Sequence, residues 1–301
     1  MKTAFLHTYR KALRRHEEVR LFGEGLQRHG WNVYGGELHD FKGADLVVQW
    51  NVRLDNVISQ VLDGGGESCV LETSYIEPRR GYVSVSFGRW VNNRNKFYGP
   101  FDDPSRWERF FAKQMRPEYD APEDGYILIM GQMPGDMATK PHVNFFDWVR
   151  DTYIQCKEDS WSDIFFRPHP SMPVLGRKPK MRKYAKVCVH PEELELWRGL
   201  EEAQELGLRI RQGDPLKEAL AGAKLVVTFN SNSGVDALLY GRPVVTMDEG
   251  SMAWAITGHS LTDIRKPDRQ AWAHRLAWCQ WSRDELKSGE CWEYAAPERL
   301  R

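Results

Sequence analysis

The stretch from Leu225 to Thr246 constrains the architecture more than any other part of the chain. Leu225 to Phe229 reads Leu-Val-Val-Thr-Phe, a short apolar and β-branched run of the kind buried on both faces in a parallel sheet. The small polar residues Asn230-Ser231-Asn232-Ser233-Gly234 break it. Val235 to Tyr240 then takes helical spacing, Gly241 ends the helix, Pro243 prevents its continuation, and Val244-Val245 opens another strand. The result is a β-turn-α-β unit. Ser231 and Ser233 both suit an N-cap position, and capping alone accounts for two serines. The free N–H groups and positive dipole end of such a helix also form an anion site, best suited to phosphate.

At 301 residues, 41% hydrophobic and 28% charged, the chain is long enough to bury two ordinary cores. No run of about 18 apolar residues is present, so no membrane span is expected. Met1 to His7 is too short and too soon polar to read as a secretory signal. Cys69, Cys156, Cys188, Cys279 and Cys291 are scattered, odd in number and without metal-ligand spacing, which suggests reduced thiols in a cytoplasmic protein. A formal net charge of zero argues against strong non-specific binding of polyanions but leaves room for a local basic groove. Most of the 12 tryptophans are expected to be packing residues, with several placed where stacking or a partner surface is open to them.

The first half alternates strands and helices. Thr3 to Leu6, Trp31 to Tyr34, Asp45 to Trp50 and Ser68 to Ser74 read as strands, and Glu17 to His29 places Val19, Phe22 and Leu26 on one helical face before Gly30 stops it. A second helix leads from Asn51-Val52-Arg53 through Leu62. Strands separated by helices imply a parallel, doubly wound sheet whose ligands gather at the strands' carboxyl ends, here His7, Asn51, Arg53, Glu72 and Ser74. Tyr75 to Asp124 is less periodic, with an aromatic helix around Trp107, Phe110 and Phe111. Arg116 to Gly125, rich in proline and charge, is the best domain linker.

A second alternating series follows. Strands are expected at Tyr126 to Met130, Asp163 to Phe166 and Leu208 to Ile210, and helices at Asn144 to Cys156, Glu192 to Glu205 and Pro215 to Ala221. Pro267 to Trp281 and Asp284 to Lys287 read as terminal helices. The expected organisation is α/β: residues 1–120 and 121–270 as two Rossmann-like parallel-sheet domains facing a cleft, and 271–301 as terminal helices.

Three strand ends of the second half can converge on one ligand: Gly131-Gln132, Arg167-Pro168-His169-Pro170, and Asn230 to Gly234. Arginine offers a fixed fork of donors for phosphate, and histidine can hydrogen-bond phosphate or protonate a leaving oxygen. The two prolines hold His169 in an extended, preset conformation. Gly131 and Gly135 can allow a phosphate close to the backbone, a pattern that any α/β protein can also carry.

Those residues carry a resemblance. Arg167-Pro168-His169-Pro170 resembles the HP motif, and Ser231-Asn232-Ser233-Gly234 the serine motif, of bacterial capsule-type glycosyltransferases, which include sialyl- and Kdo-transferases with the two-Rossmann GT-B fold. Ala237-Leu238-Leu239-Tyr240-Gly241-Arg242-Pro243-Val244 is similar to the helix-and-strand signature of the GT-B nucleotide domain. The motifs cover residues 126 to 258, and the first half is similar to acceptor domains in pattern alone. Trp50-Asn51-Val52-Arg53 and Glu72-Thr73-Ser74-Tyr75-Ile76 resemble stretches of uncharacterised bacteriophage proteins of this size.

The resemblance implies a nucleotide-sugar co-substrate, a UDP-sugar as first choice, whose phosphates lie against His169 and Ser231 to Gly234. Gly131, Gln132 and Arg167 would join that donor site, along with Asp236 near the ribose, although Asp236 equally suits a first-turn residue stabilised by the dipole. Asp248-Glu249-Gly250 can contact sugar or nucleotide, or simply form an acidic loop. Asn232 between the serines departs from the motif. The sequence has no Asp-x-Asp, so a metal-independent mechanism is expected.

Transfer requires a base for the acceptor hydroxyl. Glu72 is the first choice, with Glu77, Asp136 and His7 behind it. Asn51, Arg53, Arg79, Arg80 and Arg94 are candidate acceptor-binding residues, and Arg10 to Arg15 and Arg177 to Lys183 are further basic runs. With Tyr82, Trp90 and Tyr98 interleaved, the loop Arg79 to Tyr98 suits nucleic acid. Some phage enzymes glycosylate hydroxymethylated pyrimidines, so double-stranded DNA in a host cytoplasm is the leading acceptor. A capsule or lipopolysaccharide glycan, a sugar-nucleotide epimerase and a non-catalytic nucleotide- or nucleic-acid-binding protein are the alternatives.

Overall fold

The computed structural model describes residues 1–8, 13–52, 55–77, 81–133, 135–139, 144–159, 161, 163–172 and 191–301. They form two units, Met1–Gln114 with Asp268–Arg301, and Met115–Pro267. Among them, no helix is long and apolar enough to cross a membrane.

In the first unit the strands are β1 (Thr3–His7), β2 (Asn32–Gly36), β3 (Leu46–Trp50), β4 (Glu67–Thr73), β5 (Tyr82–Phe87) and β11 (Gln280–Ser282), ordered β11-β5-β4-β3-β1-β2. β2, β1, β3 and β4 run parallel, as strands joined through α1 (Leu13–Arg28) and α2 (Asp55–Asp63) must. Val19, Phe22 and Leu26 of α1 are buried with Leu6, Val48 and Leu71 of the sheet. Each such side chain contributes about 1.5–3 kcal/mol relative to exposure.

The structure departs here from the all-parallel expectation. Tyr82 to Phe87, expected within a loop, is a strand antiparallel to β4, and β11 is antiparallel to β5. The alternation Val83-Ser84-Val85-Ser86-Phe87 is the strand period, and both faces are covered. The expected helix through Trp281 is shorter. α8 (Gln270–Trp278) stops, and Trp281 enters the sheet with none of its surface exposed. α9 (Arg283–Ser288) starts with a full capping box between Ser282 and Glu285, and α10 (Glu290–Ala295) follows.

Arg106, on α3 (Ser105–Phe110), fastens this closing segment. Its Nε donates to the Ala277 carbonyl at 2.8 Å, its Nη2 to the Gln280 carbonyl at 2.7 Å, and its fork pairs with Glu285. The guanidinium also lies 4.2 Å from the centroid of the Trp281 ring.

The second unit holds β6 (Tyr126–Met130), β7 (Ile164–Arg167), β8 (Arg209–Ile210), β9 (Ala223–Thr228) and β10 (Val244–Thr246), all parallel, in the order β10-β9-β6-β7-β8. The helices α4 (Phe145–Glu158), α5 (Pro191–Glu205), α6 (Leu216–Ala221) and α7 (Ser233–Leu239) connect them. Ile127, Ile129, Phe166, Val227 and Phe229 pack with Phe146, Val149 and Tyr153 of α4 and Leu200 and Ala203 of α5. The chain builds from β6 outwards to β7 and β8, then returns to the other side with β9 and β10. The switch point therefore falls between β6 and β9, where ligands collect in open α/β sheets.

Candidate functional site

Register assembles the site of the second unit. Thr246, Thr228, Met130 and Arg167 stand level across β10, β9, β6 and β7. Two residues further on, Asp248, Asn230, Gln132 and His169 leave the sheet as neighbours. Three of them are joined by hydrogen bonds. Asn230 Nδ2 donates to Asp248 Oδ1 at 2.7 Å and to the Ala138 carbonyl at 2.7 Å. Gln132 Nε2 donates to Asn230 Oδ1 at 2.7 Å, and the Asn230 N–H returns a bond to Gln132 Oε1 at 3.0 Å. Asn230 is 3% exposed, so this polar chain is internal to the fold.

Gly131 brings the β7 end into place, and here its expected role is corrected. A Cβ on Gly131 would lie 2.8 Å from the Arg167 carbonyl oxygen and 2.9 Å from the His169 nitrogen. The close approach is therefore between two protein backbones, sealed by the Gly131 N–H donating to the Arg167 carbonyl at 2.7 Å.

His169 is half-buried. The Ser171 N–H donates to its Nδ1 at 3.1 Å, so the neutral ring carries its proton on Nε2 and presents a donor there. Burial lowers its pKa below the ordinary imidazole value, and the charge of Asp136 opposes that shift. Asp136 is exposed on the turn after β6, where its Oδ1 accepts the Met137 N–H at 2.7 Å.

Arg167 is 9% exposed; its Nη2 donates to the Asp214 carbonyl at 2.5 Å, and the Asp214 carboxylate is taken by Arg211. Arg167 Nη1 is buried with no partner among the described residues. Burial pushes the Arg167 pKa down, with Asp214 opposing. Arg167 thus keeps an unmet donor two residues before His169, and a guanidinium and an imidazole N–H are both donors that suit a phosphate.

The serine turn differs from its expected form. The N-cap is Asn232, without a side-chain cap bond. Ser231 Oγ accepts from the Ser233 N–H at 3.3 Å and from Ser233 Oγ at 2.9 Å, while the Ser231 N–H donates to Thr228 Oγ1 at 3.1 Å. The N–H groups of Gly234 and Val235 reach the carbonyls of Ser231 and Asn232. The amides expected to be free are thus engaged within the turn, and the hydroxyls are what it offers to a ligand. Gly234 is buried in α7, and Asp236 is half-buried one turn into it.

In the first unit, Asn51 follows β3 with φ 57°, and its Oδ1 accepts the Val52 N–H at 2.7 Å. Its own N–H donates to the Leu71 carbonyl at 2.8 Å, which sets it beside Glu72. Glu72 is half-buried, and its Oε2 accepts the Asn92 N–H at 3.3 Å, at the start of the turn that carries Arg94. His7 is buried at the end of β1, and Glu77 is exposed. Arg53, Arg79, Arg80 and the runs Arg10 to Lys11 and Arg177 to Lys183 lie outside the described residues. Tyr82 and Tyr98 do not form a stacking surface. Tyr82 packs on Phe111 at 4.9 Å between ring centroids and Tyr98 on Phe87 at 5.7 Å, whereas Trp90 is 37% exposed.

The chain is similar to the beta Kdo 2,4 transferase of Thermosulfurimonas dismutans KpsC, with a TM-score of 0.57 and 13% identity over 94% of this chain and 92% of that one. The fold is that of a GT-B glycosyltransferase. The beta Kdo 2,7 transferase of the same KpsC gives a TM-score of 0.50 and 12% identity over 97% of this chain and 100% of that one. In sequence, 134 residues are 25% identical to Protein FixF of Sinorhizobium fredii (strain NBRC 101917 / NGR234), which is 42% of this chain and 27% of that protein's length. No protein-family model matches the chain.

Sequence reasoning noted Asn230 only as part of a turn. Its position as the hub between three loops depends on register, which no local pattern encodes. Asp248, open between ligand contact and loop acid, holds Asn230 and accepts the Gly250 N–H at 2.9 Å.

Proposed function

We propose that the protein is a glycosyltransferase that moves a sugar from a nucleotide-sugar donor to a hydroxyl. The observation that carries this reading is the pair of donors at the end of β7, next to the switch point: Arg167 with a buried, unmet Nη1 and, two residues on, His169 with a proton on Nε2. Such donors match the charge that develops on a leaving phosphate. The Ser231 and Ser233 hydroxyls complete the donor set, with Gln132 positioning the loops through Asn230, and Asp136 favours the protonated state of His169.

In direct displacement the acceptor oxygen bonds to the anomeric carbon as the bond from that carbon to the phosphate oxygen breaks. The electron pair leaves on the phosphate, and the acceptor proton passes to the base, for which Glu72 is the candidate. With phosphate charge met by side chains, transfer is expected to continue in the presence of EDTA.

For the acceptor we favour a saccharide hydroxyl, because the fold is shared with Kdo transferases. A hydroxymethylated pyrimidine in duplex DNA is the second reading. It draws on the basic runs of the sequence and the exposed Trp90, but loses the support of Tyr82 and Tyr98.

A thermal-shift screen of nucleotide sugars tests the donor. A ligand at about 100 times its Kd stabilises by about 2.7 kcal/mol, so one nucleotide sugar should raise Tm clearly, and Ser233→Ala should weaken that response. No shift with any nucleotide or nucleotide sugar refutes the proposal. Transfer to a surface glycan or to hydroxymethylated but not plain DNA separates the acceptors.

A further inference from the structure

Beyond β10 the chain builds an aromatic plate to which the site described above gives no task. The Trp254 and His259 rings are stacked, with centroids 3.3 Å apart and planes within 5°. His259 Nε2 lies 3.1 Å from the Trp254 carbonyl oxygen, a bond that fixes the imidazole flat against the indole. Trp254 is half-buried and His259 is exposed, so the imidazole is the solvent-facing member of the stack.

The loop that presents His259 is closed tightly. A Cβ on Gly258 would run into the Asp263 carbonyl oxygen, and the Asp263 N–H donates to the Ser260 carbonyl at 3.0 Å. An exposed histidine ordinarily keeps its rotamer freedom, and holding it still costs entropy that folding does not recover from so little buried area. A ring held flat in advance lowers the cost of binding another planar group.

The plate stands at the carboxyl edge of the same sheet. Gly258 pairs in parallel with Val245, the Thr246 N–H donates to the Gly258 carbonyl at 3.0 Å, and Thr246 Oγ1 meets Thr257 Oγ1 at 2.6 Å. The segment through Gly258 therefore acts as one more strand beside β10. At about 4.8 Å per strand it lies about 10 Å from the end of β9, where the serine hydroxyls sit, and about 19 Å from the end of β7. The shorter distance suits the reach from a nucleobase to its own phosphates, and the longer one leaves room for the sugar end of a donor near His169.

We infer that His259, backed by Trp254, is the stacking platform for the base of a nucleotide whose phosphates meet the serine turn. The inference rests on the donor site proposed above and assigns its base end. Stacking is tolerant of base identity, so pyrimidine or purine choice falls to polar groups around the plate.

Calorimetric titration of CDP, UDP, ADP and GDP, with inorganic pyrophosphate in parallel, into wild type, His259→Ala and Trp254→Leu tests it. His259→Ala should weaken the tightest nucleoside diphosphate about tenfold and leave pyrophosphate unchanged, as expected for a stack that acts on the base alone. If Trp254→Leu fails to fold, His259→Ala decides the question. Unchanged nucleotide affinity in folded variants overturns the platform while the phosphate site stands. Equal weakening of pyrophosphate also overturns it. If no nucleoside diphosphate binds wild type, the donor reading fails and the platform falls with it.

Discussion

Replacing Asn230 separates a structural hub from a simple turn residue. Its side chain makes three hydrogen bonds, to Gln132 Nε2, the Ala138 carbonyl and Asp248 Oδ1, each at 2.7 Å. At about 1 kcal/mol net per bond, Asn230→Ala removes about 3 kcal/mol, somewhat less where the half-buried Ala138 and Asp248 recover water. Asn230→Asp is the sharper probe. It keeps an oxygen for Gln132 but turns the donor that faced Asp248 into a second carboxylate. Two carboxylates in contact raise the pKa of the pair, so the folded variant holds a proton that the unfolded chain releases. Stability then falls as pH rises from about 4 towards neutrality and returns on acidification. Urea denaturation of wild type and both variants at pH 5 and pH 7 reads this directly. Asn230→Asp with wild-type stability at pH 7, or with no pH dependence beyond that of wild type, would refute the network.

Further outcomes follow from the geometry. Gly131→Ala forces a methyl against the Arg167 and His169 backbones and should cost about 1–3 kcal/mol, with loss of nucleotide affinity; a variant with wild-type Tm and affinity contradicts the close approach. His169→Ala should lower transfer by about 10²-fold or more with little change in Tm. Because burial holds the His169 pKa below its unfolded value, the unfolded chain binds more protons near pH 6 and stability rises with pH there. His169→Gln should flatten that slope, as measured by Tm between pH 5 and pH 7.5. Arg106→Ala should cost about 3–5 kcal/mol by leaving Glu285 without its partner. Burial raises the Glu285 pKa, but the Arg106 pairing and the Ser282 hydrogen bonds together hold the net value low, so this contribution is lost as pH falls below about 4.5. Arg106→Met with Glu285→Leu should recover part of the loss.

Where local chemistry decides structure, the sequence was legible. Leu225 to Phe229, the serine turn, Gly241 and Pro243 punctuate β9, α7 and β10 by backbone preference alone, and Pro168 and Pro170 mark the end of β7. Features set by distant partners were not. The alternation from Val83 to Phe87 carries a strand period, but the basic residues before it and the aromatic residues around it pointed to a loop. Trp281 stands three residues after Trp278, a helical spacing, and only pairing with β5 makes it a strand. Asn230 and Asp248 are ordinary loop residues until the register of β6, β9 and β10 brings them together. The turn between Asn230 and Gly234 was read as an amide site, yet Ser231 takes the Ser233 and Gly234 amides with its own oxygens, and Asn232 takes that of Val235.

The return of residues 268–301 to the first unit also sets an order of assembly. The second unit is one continuous segment, Met115–Pro267, and its five strands are all present once β10 has been made. The first unit lacks β11, the Trp281 ring and the Glu285 partner of Arg106 until the last stretch emerges. During synthesis the later-encoded unit can therefore be complete while the earlier one still exposes the edge of β5, a strand ready to pair with another chain. Ribosome-bound intermediates should thus become protease-resistant first in the middle of the sequence.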